Sequence, residues 1–127
     1  MAWKWGKTSL DRLVTCDKRL QDLADMMLAR SEFDLTITCG YRTKEEQEDA
    51  YQKGTSRAKF GQSKHNVFPS KAIDIIPVKV NWDSNDWKWA YMCALAYDCA
   101  MELGIKIKCG FFFKSIKDCP HIEIIGE

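Results

Sequence analysis

The sequence has no apolar run that approaches the roughly 18 residues of a membrane-spanning helix. Its first seven residues, Met1 to Lys7, also lack the apolar centre of a secretory signal peptide. The formal net charge is only +1, and the lysines and arginines are scattered along the chain rather than clustered. We therefore expect a protein without a signal peptide that neither inserts into a membrane nor binds nucleic acid.

The cysteines do not form the CxxC pairs that are typical of a structural zinc site. An even number of cysteines indicates disulfide bonds only where the protein is secreted. Because the N-terminus predicts no export, we expect six reduced thiols, at Cys16, Cys39, Cys93, Cys99, Cys109 and Cys119.

The length and composition are those of one globular domain. The chain has 127 residues, of which 46% are apolar and 29% charged, enough to bury a core without cross-links. No repeat, low-complexity segment or linker divides it. We expect a monomer with a single domain that spans residues 1–127.

The hydrophobic periodicity predicts helices and short strands in a mixed order. Helical spacing is found over residues 9–30, 44–52 and 86–103, and the second of these segments begins with a Thr43/Glu46 capping box. Alternating or continuously apolar segments predict strands at 33–38, 72–76, 105–108 and 121–125. This pattern predicts an α+β fold in which a small, mainly antiparallel sheet is flanked by helices.

The only two histidines lie in segments that also carry carboxylates. His65 precedes Asp74 by nine residues, and His121 begins a predicted strand. Two imidazoles and one carboxylate are a ligand set for a catalytic zinc ion whose fourth position stays open to water. Asp74 lies between two isoleucines, where an unpaired buried charge would be costly. An edge-strand aspartate in a salt bridge is one interpretation, but a metal ligand explains Asp74 better, given His65 and His121.

Other polar residues are candidates for supporting roles. Asp118 precedes His121 by three residues and is the candidate base that activates a water molecule. Arg42 follows a predicted strand and could face a cleft, but from the residues alone a surface salt bridge is the favoured interpretation. Arg57 and Lys59 lie in a polar loop, for which a solvated charged surface is the favoured interpretation over a contact with an anionic ligand.

Four short motifs, in order, resemble a known enzyme family. They are Gly40-Tyr41-Arg42, Ser63-Lys64-His65, Ala72-Ile73-Asp74 and Asp118-Cys119-Pro120-His121. Together they are similar to the zinc peptidases that cut bacterial cell-wall stem peptides, the D-Ala-D-Ala carboxypeptidases and phage L-Ala-D-Glu endopeptidases of the Hedgehog/DD-peptidase fold. The resemblance runs from about Thr38 to Ile124, and the nine-residue spacing from His65 to Asp74 resembles the longer-loop variant of small phage endolysins.

The resemblance implies a role for each motif residue. One zinc ion per chain would be bound by His65, Asp74 and His121, with Asp118 as the catalytic base. Arg42 would be a second catalytic residue that binds substrate or stabilises the oxyanion, and Ser63 and Gln47 would be further substrate contacts. The same ligand set would also accept cobalt or manganese.

The resemblance also implies a setting and leaves alternatives. A small protein without a signal peptide suits a phage endolysin that is made in the host cytoplasm, reaches the wall through a separate pore-forming protein and cuts the L-Ala-D-Glu bond of the peptidoglycan stem peptide. A D-Ala-D-Ala carboxypeptidase is the alternative within the class. A non-catalytic wall-binding module of the same fold is a further alternative, and a soluble domain with two surface histidines ranks last.

Overall fold

The computed structural model describes residues 3–83, 85–114 and 117–126, which form four helices and one four-stranded sheet. The helices are α1 (Lys7–Leu13), α2 (Lys18–Arg30), α3 (Lys44–Gln52) and α4 (Trp87–Leu103), and the strands are β1 (Leu35–Cys39), β2 (Ala72–Pro77), β3 (Ile107–Cys109) and β4 (His121–Ile124). The strand order is β1-β2-β4-β3, and every neighbouring pair is antiparallel. The predicted α+β fold with an antiparallel sheet is therefore confirmed.

The first predicted helix is interrupted, so the prediction of one helix over residues 9–30 is wrong. Instead, the Ser70 amide donates to the Thr15 carbonyl oxygen, and the Asp17 amide donates to the Ser70 carbonyl oxygen, both at 2.9 Å. The Asp17 side chain then accepts a hydrogen bond from the Arg19 amide at 2.9 Å and caps α2. Apolar spacing continues through the break, which is why periodicity alone does not reveal it.

The sheet has one apolar face and one polar face. Ile73 and Ile75 on β2 are fully buried in the core, as is Ile122 on β4. Because side chains alternate along a strand, Asp74 and His121 project from the opposite face. Helices α2 and α4 pack on each other and supply much of the core. Within the described part of the chain, no helix is long and apolar enough to cross a membrane.

The predicted capping box at the start of α3 is confirmed, and a glycine ends α4. Thr43 accepts from the Glu46 amide while the Glu46 carboxylate accepts from the Thr43 amide, which completes the capping box of α3. Gly104 ends α4 in a left-handed conformation with φ of 72°.

Gly40, directly after β1, lies unusually close to the end of α1 and to the residues that follow it. A Cβ atom there would lie 2.4 Å from both the Arg12 carbonyl oxygen and the Thr15 Oγ1. We expect Gly40→Ala to lower the free energy of unfolding by about 1–3 kcal/mol, because backbone must shift to make room. Thermal or urea unfolding measures this loss. Gly6→Ala is the matched control, since nothing lies within 4 Å of its Cβ position, and equal effects in the two variants would contradict the packing argument.

Candidate metal centre

The polar face of the sheet carries a row of potential metal ligands across three adjacent strands. Asp74 on β2 is directly opposite His121 on β4. On its other side Asp74 is paired with Cys39 of β1. Since directly opposed residues of antiparallel strands project from the same face, the register places all three side chains together.

The third predicted ligand, His65, comes from a loop above this row. It lies in a single 3₁₀ turn, Lys64–Asn66, whose first amide groups are capped by the Ser63 side chain. Its Nε2 is 3.1 Å from Asp74 Oδ1, and His121 Nδ1 is 3.5 Å from the same oxygen. The structure thus brings together His65, Asp74 and His121, although the two histidines are 56 residues apart in the sequence.

The hydrogen bonds on the far side of each imidazole fix its tautomer. His65 Nδ1 is 2.7 Å from the Gly40 carbonyl oxygen, which can only accept, so this nitrogen carries the proton. His121 Nε2 donates in the same way to the Glu123 carboxylate at 2.7 Å. When the rings are neutral, as metal binding requires, the unprotonated nitrogen of each therefore faces Asp74, which is the arrangement that metal-binding histidines usually have. This donor set fits a zinc ion.

The electrostatics of the row favour a cation. Burial disfavours a charged imidazole, but the hydrogen bond to Asp74 outweighs it and raises the pKa of His65 to about 10 and that of His121 to about 9. Burial of Asp74 acts to raise its pKa, yet the hydrogen bonds from the two histidines hold that pKa well below its usual range. Protons and a divalent cation therefore compete for the same two ring nitrogens, and metal binding has to release those protons.

Cys39 is a residue that the sequence analysis missed. One ligand atom each from Cys39, His65 and Asp74 lie within 4.8 Å of one another, which makes this trio a candidate metal-binding group in its own right. Strict alternation along β1 would send Cys39 to the apolar face together with Ile37. A β-bulge between Ile37 and Cys39 inserts Thr38 without a partner and turns Cys39 towards Asp74. Nothing in the sequence pattern signals that bulge.

Asp118 lies at the open side of the row. Its Oδ2 is 3.8 Å from His121 Nδ1, and its side chain is 49% exposed. Partial burial raises its pKa, and the charge of Asp74 adds to this rise, so the carboxylate holds a proton more readily than an ordinary aspartate. The Asp118 amide donates to the Gly110 carbonyl at 3.0 Å. A Cβ on Gly110 would lie 2.1 Å from the Asp118 carbonyl oxygen, so the loop can approach only because residue 110 is glycine.

Arg42 is held at the other side of Asp74. Its backbone amide donates to the His65 carbonyl at 2.8 Å. Its guanidinium donates to Gln47 Oε1 at 2.9 Å and lies 3.8 Å from Asp74 Oδ2. The same Arg42 side chain therefore lies beside a carboxylate, as in a salt bridge, and also lines the cleft.

Gln47 is fully buried, and both ends of its amide are bonded to protein groups. Its oxygen accepts from Arg42 and from Asn66, and its nitrogen donates to Ser56 Oγ at 3.0 Å and to the Ala58 carbonyl oxygen at 2.6 Å. We expect Gln47 to position Arg42 rather than to touch a substrate. The predicted substrate contact through Ser63 stays a prediction, since Ser63 lines the cleft and also caps the His65 turn.

A cleft of about 410 Å³ lies over the row. Its walls include all the predicted metal ligands, the candidate base and the arginine, together with Phe113, whose ring centroid is 5.5 Å from that of His121. A volume of this size lies within the usual range of ligand-binding clefts. The geometry therefore combines a candidate cation site, a half-exposed carboxylate and a guanidinium in one accessible groove.

Comparisons with known proteins agree with this geometry. Residues 1–125 match a family model described as phage L-alanyl-D-glutamate peptidase. The L-alanyl-D-glutamate peptidase of Escherichia phage T5 is 34% identical over 127 residues, which covers 98% of this chain and 90% of the relative. The fold is similar to that of the Serratia marcescens L-Ala D-Glu endopeptidase ChiX, with a TM-score of 0.80 at 22% identity over 96% of this chain and 90% of the other.

Proposed function

Since the chain belongs to the phage L-alanyl-D-glutamate peptidase family, we propose that it is a zinc-dependent peptidoglycan hydrolase that cuts the L-Ala-D-Glu bond of the stem peptide. The observation that carries this proposal is the convergence of two imidazole nitrogens on the Asp74 carboxylate, with Asp118 half-exposed beside them. A binding module has no need of a free carboxylate at that position.

The residues that would hold zinc are His65, Asp74 and His121. Bound zinc supplies Lewis-acid chemistry, since it polarises a carbonyl group and makes water more acidic. The outer hydrogen bonds from the Gly40 carbonyl and the Glu123 carboxylate keep the two rings in the orientation that zinc binding requires.

The chain's own groups move the proton and bind the developing charge. Asp118 takes a proton from the attacking water and passes it to the amine of the leaving D-glutamate. Arg42, fixed by Gln47, donates hydrogen bonds to the carbonyl oxygen as that oxygen becomes negative. Phe113 and the loop before His65 form walls that restrict water around the scissile bond.

The family match also supports a proposal for the setting in which the protein acts. We propose that the protein acts as a monomeric, single-domain endolysin, made in the cytoplasm of the host bacterium and brought to the wall by a separate pore-forming protein. Its partner is then the peptidoglycan stem peptide, and its biological effect is host lysis.

Mass spectrometry of a purified stem peptide tests the bond and the metal together. We expect the peptide L-Ala-D-Glu-diaminopimelate-D-Ala-D-Ala to release L-Ala, and we expect a chelator to stop this release until zinc is restored. Release of the terminal D-Ala would instead assign a carboxypeptidase. If zinc is bound but the peptide and the intact wall both stay uncut, a wall-binding module becomes the better account.

A further inference from the structure

The cleft is lined by four cations, and three of them already have partners. Arg42 is bonded to Gln47 and lies near Asp74. Lys64 is 3.6 Å from the Glu123 carboxylate, and the Lys117 ammonium lies 4.3 Å from the centre of the Phe111 ring. The fourth cation is Arg57, which forms no ion pair within the described residues 3–83, 85–114 and 117–126.

The loop that carries Arg57 is fixed on both sides of this residue. The buried Gln47 amide donates to the Ser56 hydroxyl and to the Ala58 carbonyl oxygen, and the Ser56 hydroxyl accepts from the Ala58 amide at 3.1 Å. The same Gln47 holds Arg42 at the metal centre. The backbone on either side of Arg57 is therefore anchored to the catalytic region, while Arg57 itself is exposed and lines the cleft.

The proposed substrate needs such a group. Glutamate has two carboxyl groups, and only one of them can continue the peptide chain beyond the scissile bond. The other remains a free carboxylate close to the bond that is cut. A guanidinium binds a carboxylate through two parallel hydrogen bonds, which a neutral carboxamide cannot reproduce because one of its two positions is itself a donor.

Resting on the proposed function, we propose that Arg57 binds the free carboxylate of the substrate glutamate and makes the enzyme select stem peptides with a carboxylate over those with a carboxamide at this position. Lys59, two residues away, has a different role. It lies 5.6 Å from the centre of the Tyr51 ring and is not part of the cleft wall. The structure therefore distinguishes Arg57, which lines the cleft, from Lys59, which does not, although the sequence presents the two as equivalent.

A pair of peptides that differ only in this group provides the test. One peptide carries the free glutamate carboxylate, the other its carboxamide, and kcat/KM is measured for both with wild type, Arg57→Gln and Lys59→Gln. We expect wild type to prefer the carboxylate peptide by roughly 10-fold. Arg57→Gln should lose that preference through a lower kcat/KM for the carboxylate peptide alone, and Lys59→Gln should keep it. The salt dependence of kcat/KM for the carboxylate peptide should also weaken in Arg57→Gln only.

Three outcomes overturn the inference, and they are distinguishable. An Arg57→Gln variant that loses activity equally on both peptides would give Arg57 a merely structural role. A wild-type enzyme that cuts both peptides equally well would show that the carboxylate is not recognised, while the proposed function would stand. A wild-type enzyme that cuts neither peptide would remove the proposed function and this inference with it.

Discussion

Replacing Asp118 by asparagine is expected to lower kcat for the stem peptide by about 10²- to 10⁴-fold, the usual contribution of a general acid–base group. Asparagine has nearly the same shape but cannot take a proton from water or return it to the leaving amine. Asp118 Oδ2 is 3.8 Å from His121 Nδ1 and its side chain is 49% exposed, so the substitution leaves the three candidate ligands in place. We therefore expect the variant to bind one zinc ion per chain, as wild type does.

The measurement combines peptide-cleavage kinetics with metal analysis of the dialysed protein. Asp11→Asn is a suitable control, because Asp11 is a surface residue on α1 that pairs with Lys7 at 3.0 Å. It should retain both activity and zinc. If Asp118→Asn loses its zinc, then Asp118 is a metal ligand and its assignment as the base is wrong.

Replacing Asp74 by asparagine is expected to abolish detectable activity because the protein no longer retains zinc. The Asp74 carboxylate faces both imidazole nitrogens and also lies 3.8 Å from the Arg42 guanidinium. Loss of a group that merely supports a metal ligand costs about 10- to 100-fold in metal affinity, so loss of the only anionic oxygen ligand among the three should cost more. Zinc titration of the apo-protein by calorimetry measures the change directly.

The same substitution at Asp34 is the matched control for Asp74. Asp34 is half-buried just before β1, where its carboxylate accepts from the Leu35 amide at 2.9 Å. Asp34→Asn should bind zinc as wild type does. An Asp74→Asn variant that keeps wild-type zinc affinity would mean that the metal lies elsewhere, for instance at a site that depends on Cys39.

The sequence by itself determined the class of fold and the family. Short alternating strands and capped helices predicted the antiparallel α+β architecture, because alternation and capping are local properties of the chain. The order of four motifs predicted the peptidase family and predicted that His65, Asp74 and His121 bind one metal ion. Two histidines in the whole chain, each close to an aspartate, made that hypothesis possible without any coordinates.

Only the tertiary structure decided how the site is supported and what surrounds it. The bulge that turns Cys39 towards Asp74 arises from strand pairing, and the break between α1 and α2 arises from pairing with Ser70, so both depend on residues distant in the chain. The buried position of Gln47 and the different surroundings of Arg57 and Lys59 also depend on how separate segments pack together. Local periodicity reports which face of an element is apolar, whereas the partners of a polar side chain are fixed by packing between segments that the sequence keeps apart.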